Sequence, residues 1–127
     1  MGWPAHTQRS NDGIALVVMI ETVEAVANAA AIAAVPGVDA VFMGPNDLAP
    51  NMGSENRWIE APVQAAIDRM LKVVAESGKC PGILAPTPGD EDRHAIWGAR
   101  HYASVSTGTI TKALEEAAQG GRAQLHY

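Results

Sequence analysis

The stretch ALVVMIETVEAVANAAAIAAVPGVDAVFMGPNDL, running from Ala15 to Leu48, decides how the rest of the chain is read. Its opening run, Ala15-Leu-Val-Val-Met-Ile20, is rich in β-branched residues, has the length of a strand and carries no polar alternation. Such a run predicts a strand covered on both faces, as in a parallel sheet. Residues 22–34 follow, with alanine at 25, 27, 29, 30, 31, 33 and 34. Alanine is the strongest helix former, so one helix is predicted there. Val35-Pro36-Gly37 closes it, because proline cannot continue a helix and glycine suits the turn beyond. Asp39 then leads into a second short apolar run, Ala40-Val-Phe-Met43, which Gly44-Pro45-Asn46-Asp47-Leu48 breaks. Strand, helix and strand with no hairpin turn between them predict a parallel βα unit.

The same order recurs downstream. A polar loop is expected over Asn51 to Arg57, then a helix from about Ala61 to Ser77. Its apolar positions Val63, Ala66, Ile67, Met70, Leu71 and Val74 are spaced three and four apart, as one buried stripe requires. Gly78 ends it. Pro81-Gly-Ile-Leu-Ala85 reads as a third strand and Asp90 to Gly98 as a short helix behind it. Tyr102-Ala-Ser-Val105 is a weaker fourth strand, and Thr109 to Gln119 a last helix stopped by Gly120-Gly121. Residues 1–13 are polar and turn-rich and read as an N-terminal arm, which leaves 14–127 as one domain.

Composition bounds the function. The chain has 127 residues, 47% hydrophobic and 18% charged, a globular balance rather than a disordered one. Fourteen acidic against nine basic residues give a net charge of −5 and a pI near 5.2, which argues against a nucleic-acid partner. The apolar run ending at Ile20 falls short of the ~20 residues a membrane helix needs, so no membrane partner is expected. Cys80 is the one cysteine, which excludes an intrachain disulfide framework and a cysteine metal cluster. The start, Met1-Gly-Trp-Pro-Ala-His6, lacks the basic and apolar regions of a secretory signal, and a cytoplasmic protein is expected.

In parallel α/β folds, functional residues gather where the strands end at their carboxyl side. The four exits carry Glu21-Thr22, then Gly44-Pro45-Asn46-Asp47, then Ala85 to Asp90, then Ser104 to Thr109. Glu21 and Asp47 stand 26 residues apart, a spacing that suits one helix, one strand and two short connections. On neighbouring strands, roughly 4.8 Å apart, both carboxylates can reach one cation. A site of carboxylate oxygens without cysteine or paired histidines suits Mg²⁺ or Mn²⁺. The same residues can equally be a helix-start acid and an Asx-turn residue. Gly44 permits close backbone approach, and the amides of Asn46 and Asp47 can face a carboxylate. An ordinary break after a strand would look alike.

Three segments carry a resemblance. Val18-Met-Ile-Glu-Thr22, Val35-Pro-Gly-Val-Asp-Ala-Val-Phe-Met-Gly-Pro-Asn-Asp-Leu48 and Gly78-Lys-Cys-Pro-Gly-Ile-Leu-Ala85 resemble the HpcH/HpaI aldolase family, over roughly residues 14–119. The resemblance implies a (β/α)₈ TIM barrel, which takes ~250 residues, so this chain would match about its second half, strands five to eight. It implies a class II aldolase, a carbon–carbon lyase that cleaves or forms 4-hydroxy-2-oxo acids. The metal ligands would fall on Glu21 and Asp47, with Gly44, Pro45, Asn46, Asp47 and Leu84 around a pyruvate-like 2-oxo acid, and an aldehyde as the second partner. The cofactor would be Mg²⁺ or Mn²⁺, with Co²⁺ a further candidate, acting as a Lewis acid that stabilises an enolate. Lys72, Lys79 and Lys112 lie away from the strand exits, so no Schiff base is implied. The family's arginine and histidine come from the first half of its barrel. Nothing in this chain replaces them, since Arg9 and His6 precede the first strand and read as arm residues.

The remaining polar and aromatic residues read plainly. Ser104, Ser106, Thr107 and Thr109 read as caps of the last helix rather than an anion site. His94 and His101 are expected at the surface or supporting other residues. Cys80 reads as a small packing residue at a strand start, and Trp58 and Trp97 as helix-packing aromatics. The competing function is a non-catalytic or truncated half-barrel that binds metal and keto acid, or needs a second chain. Open sheet edges invite association, so a homo-oligomer is expected.

Overall fold

The computed structural model describes residues 10–54, 58–85 and 87–123. The arm expected over 1–13 therefore lies outside the described residues up to residue 9, with His6 and Arg9 in it; so do Arg57 and Pro86. A single 3₁₀ turn, Asn11–Gly13, leads in.

Four parallel strands make one sheet: β1 (Val17–Ile20), β2 (Ala40–Met43), β3 (Cys80–Leu84) and β4 (His101–Ala103), side by side in chain order. A doubly wound sheet reverses its strand order part-way, and this one does not; the order 1-2-3-4 is the winding of a barrel segment. The register aligns Ile20 with Met43, Met43 with Ile83 and Ile83 with Tyr102.

The helices are α1 (Val23–Ala27), α2 (Ala29–Ala33), α3 (Pro45–Asn51), α4 (Ala61–Glu76), α5 (Pro88–Ile96) and α6 (Ser106–Ala123). Helix α4 buries Val63, Ile67, Met70, Leu71 and Val74, the stripe that its spacing predicted. Each large aliphatic side chain so buried contributes about 1.5–3 kcal/mol. They pack on Ile20, Val41, Met43 and Ile83, with Ala29 and Ala33 of α2 alongside. Trp58 and Trp97 lean on this core, as packing aromatics should.

Five expectations need correction. The alanine-rich segment forms two short helices, because Asn28 leaves helical geometry (ψ 8°) while its side-chain amide donates to the Glu24 carbonyl at 3.0 Å. Strand β1 is covered on one face only: Val18 and Ile20 meet the core, whereas Val17 is 44% exposed and Met19 58%. The polar loop starts later than expected, since Asn51 still belongs to α3. Helix α6 passes through Gly120 and Gly121 instead of stopping there. Glycine in a helix costs about 1 kcal/mol, and it ends a helix only where the capping turn forms. His94 is completely buried, not at the surface. Helix α6 itself is exposed from Ser106 to Gly120. Among the described residues, no helix is long and apolar enough to cross a membrane.

Candidate functional site

Parallel pairing sends every strand exit to one end of the sheet. Glu21 follows the last residue of β1 and Gly44 the last residue of β2, joined by a hydrogen bond from the Gly44 amide to the Ile20 carbonyl at 3.0 Å. Pro45 then opens α3 at a position where a missing amide hydrogen costs nothing. Asp47 lies in the first turn of that helix, so its backbone is fixed one turn from the sheet. The first-turn amides of a helix have no intrahelical acceptor, which leaves those of Asn46 and Asp47 available to an anion.

Glu21 is held from the other side. Thr22 caps α1, its hydroxyl oxygen accepting from the Ala25 amide at 3.1 Å. The amide of Val23 donates to the side-chain carbonyl of Asn51 at 2.8 Å, which ties the start of α1 to the end of α3. The two carboxylates thus sit on two strand exits that are cross-braced by Asn51. Partial burial raises the Glu21 carboxyl above its usual range, and the Asp47 carboxyl beside it raises it further.

A depression of about 200 Å³ opens at this end, lined by Met19, Glu21, Phe42, Gly44, Pro45, Asn46, Asp47, Leu84 and Ala103. All six residues expected from the sequence line it: Glu21, Gly44, Pro45, Asn46, Asp47 and Leu84. Met19, Phe42 and Ala103 went unread. Met19 was legible by counting back two residues from Glu21, since alternate strand residues share a face. Phe42 and Ala103 needed the register, which pairs Met19 with Phe42 and Leu84 with Ala103. Ser104 and Thr109 lie instead in a separate cleft with Lys112 and Glu116. His101 stands on β4 in a T-shaped contact with Phe42, centroids 5.5 Å apart, and is not among the lining residues.

Among the described residues no group of three or more His, Cys, Asp or Glu converges as a metal cage. The pair that is present nevertheless suits a hard divalent ion. Mg²⁺ is commonly bound by one or two carboxylates, with substrate and water oxygens completing the shell. Two facing carboxylates, one raised by the charge of the other, are an arrangement that a cation relieves.

Singly wound βα units in one parallel sheet define part of an α/β barrel, with the carboxylate pair at its strand exits as the candidate site. The chain belongs to the HpcH/HpaI aldolase/citrate lyase family, whose pattern matches residues 3–113. It is 44% identical over 100 residues to a hydroxypyruvate/pyruvate aldolase of Delftia acidovorans, covering 79% of this chain and 37% of that protein. It is 40% identical over 113 residues to a 4-hydroxy-2-oxo-heptane-1,7-dioate aldolase of Escherichia coli, covering 88% and 43%. The crystal structure of a family protein from Burkholderia cenocepacia superposes with a TM-score of 0.85 at 30% identity, over 92% of this chain and 46% of that one. The chain therefore spans less than half the length of these relatives, and its four βα units are a part of their barrel.

Proposed function

We propose that this chain carries the metal- and keto-acid-binding portion of an aldolase that cleaves or forms 4-hydroxy-2-oxo acids, with a pyruvate-like 2-oxo acid and an aldehyde as partners. The observation that carries the reading is the convergence of Glu21, Asp47, Gly44, Pro45, Asn46 and Leu84 on one depression at the carboxyl end of the sheet. The names of the relatives, aldolases of hydroxypyruvate, pyruvate and a hydroxy-oxo-heptanedioate, support that substrate class.

Glu21 and Asp47 would hold a divalent ion, Mg²⁺ or Mn²⁺ in preference to Co²⁺ because the donors are hard oxygens. Such an ion supplies a Lewis acid for the oxygens of the keto acid. The chain's own residues do the rest. The amides of Asn46 and Asp47 orient the substrate carboxylate at the start of α3. Met19, Phe42, Leu84 and Ala103 give the depression an apolar floor against which a methyl group packs. None of the nine lining residues is a histidine, arginine, lysine or tyrosine, so with Glu21 and Asp47 committed to the ion, proton transfer falls to a group outside this set.

A second reading has its own support. The bare face of β1, with Val17 and Met19 exposed, suits a chain whose site is completed by further βα units or by a second copy in a homo-oligomer. An acidic chain with one cysteine fits the cytoplasm under either reading.

The chain supplied with Mn²⁺ should release pyruvate from a 4-hydroxy-2-oxo acid, measured by NADH loss through lactate dehydrogenase. Removing the ion with a chelator, or substituting Asp47→Ala, should abolish it. Turnover that survives both changes would remove the carboxylate pair from the reaction. Turnover that appears only when a second chain is added would favour the completed-barrel reading.

A further inference from the structure

Gly44 stands between the two carboxylates, and its backbone does not require glycine. Its φ of −97° lies on the side of the map open to every L-residue. As the residue before the first turn of α3 it makes no side-chain cap, and serine or asparagine would ordinarily serve better there. What excludes a side chain is Glu21. A Cβ built on Gly44 would lie 2.5 Å from Glu21 Oε1, 2.7 Å from its Cγ and 3.0 Å from its Cδ. Its three nearest heavy atoms all belong to that one side chain.

The pattern of the clash matters more than its size. A collision with the carboxylate tip alone would be relieved by turning the tip. Here the stem carbon Cγ is also too close, so the whole side chain must swing about its first torsion and leave its place beside Asp47. The backbone cannot retreat instead, because the Gly44 amide is hydrogen-bonded to the Ile20 carbonyl, Met43 before it is in the β1–β2 ladder and Pro45 after it opens α3.

We infer that Gly44 is a positioning residue: its bare Cα forms the recess that seats the Glu21 carboxylate against Asp47. The inference deepens the proposed function and, for its consequence on metal binding, rests on that reading. The recess sets the height and spacing of the carboxylate pair, so filling it disperses the pair without removing either ligand. Residues that orient ligands typically change metal affinity about 10–100-fold when altered.

Four proteins test this: the chain itself, Gly44→Ala, Glu21→Ala and the double variant. Mn²⁺ binding is titrated by the EPR signal of the free ion, and stability is read from urea midpoints. Gly44→Ala should bind Mn²⁺ about 10–100-fold more weakly than the parent chain. It should lower the midpoint while Glu21 is present, and leave it unchanged or raise it in the Glu21→Ala background, where alanine at a compatible φ normally stabilises. Unaltered Mn²⁺ affinity in Gly44→Ala, or an equal midpoint penalty in both backgrounds, overturns the inference. If the parent chain binds no Mn²⁺, the metal reading fails by itself and the midpoint cycle still decides the role of Gly44. Should Gly44→Ala not fold, a folded double variant upholds the recess and an unfolded one overturns it.

Discussion

His94 offers a sharp test of how this chain responds to acid. The imidazole is completely buried, and among the described residues neither ring nitrogen has a hydrogen-bond partner. It is sandwiched between Trp58, at a ring separation of 6.4 Å, and Trp97, at 5.4 Å, both tilted. Burial holds it below its ordinary value of 6.5, and the neighbouring Arg93 charge acts in the same direction, partly offset by Asp90. The folded state therefore prefers the neutral ring. Above about pH 6.5 the ring is neutral in both the folded and the unfolded chain, and its full contribution to stability is present. Below that the unfolded chain takes up the proton first, so stability falls with pH until the folded-state pKa is passed, by at most about 1.4 kcal/mol per unit.

The perturbation is His94→Leu, which keeps helix propensity and nearly the same volume. It forfeits two aromatic contacts worth about 0.5–1.5 kcal/mol each. It also removes a buried polar ring without partners, whose burial costs about 1–3 kcal/mol. The two nearly cancel, so at pH 7.5 the variant should lie within about 1 kcal/mol of the parent chain. At pH 5.5 the parent should have lost up to about 1.4 kcal/mol more than the variant. Urea denaturation across this range measures both curves. Parallel pH dependences for the two proteins would refute the assignment of this acid response to His94.

Two further substitutions follow from local geometry. Gly82→Ala would bring a Cβ to 2.7 Å from the Phe42 ring and 3.2 Å from the His101 ring and carbonyl, so it should destabilise by about 1–3 kcal/mol in urea and alter the His101 ring signals in NMR. Thr22→Ala removes the cap of α1 and should cost about 1 kcal/mol, checked by thermal melting; an unchanged midpoint would mean that Asn51 alone holds the start of that helix.

The βα order, the four strand exits and the meeting of Glu21 with Asp47 were all legible, because strand runs and strand-end residues are local signals. The bare face of β1 was not. Val17 and Met19 are as apolar as Val18 and Ile20, so composition does not say which face is covered. Helix α5 hides its buried side chain for the opposite reason. Its sequence reads Pro-Gly-Asp-Glu-Asp-Arg-His-Ala-Ile, with a single large aliphatic residue. Ile96 is 82% exposed and His94 fully buried, because Trp97 at the helix's C-cap and Trp58 from another segment close over the imidazole. The Trp58 contact is tertiary, and no window along α5 contains it. The break at Asn28 escaped notice because its alanine surroundings favour helix, and only the side-chain amide reaching the Glu24 carbonyl reveals the competition.

The pairing of Met19 with Phe42, and of Leu84 with Ala103, imposes a counting rule on how this sequence can change length. Faces alternate with every strand residue, so losing or gaining one residue inside β1 turns Glu21 from the depression toward Met43 and Ile83. Losing or gaining two restores the face but shifts the carboxylate by one row. The connection between Asn51 and Ala61 obeys no such rule, since it joins two helices. Changes of length between α3 and α4 thus answer only to the seat of Trp58 against His94, while every strand keeps its odd-or-even count.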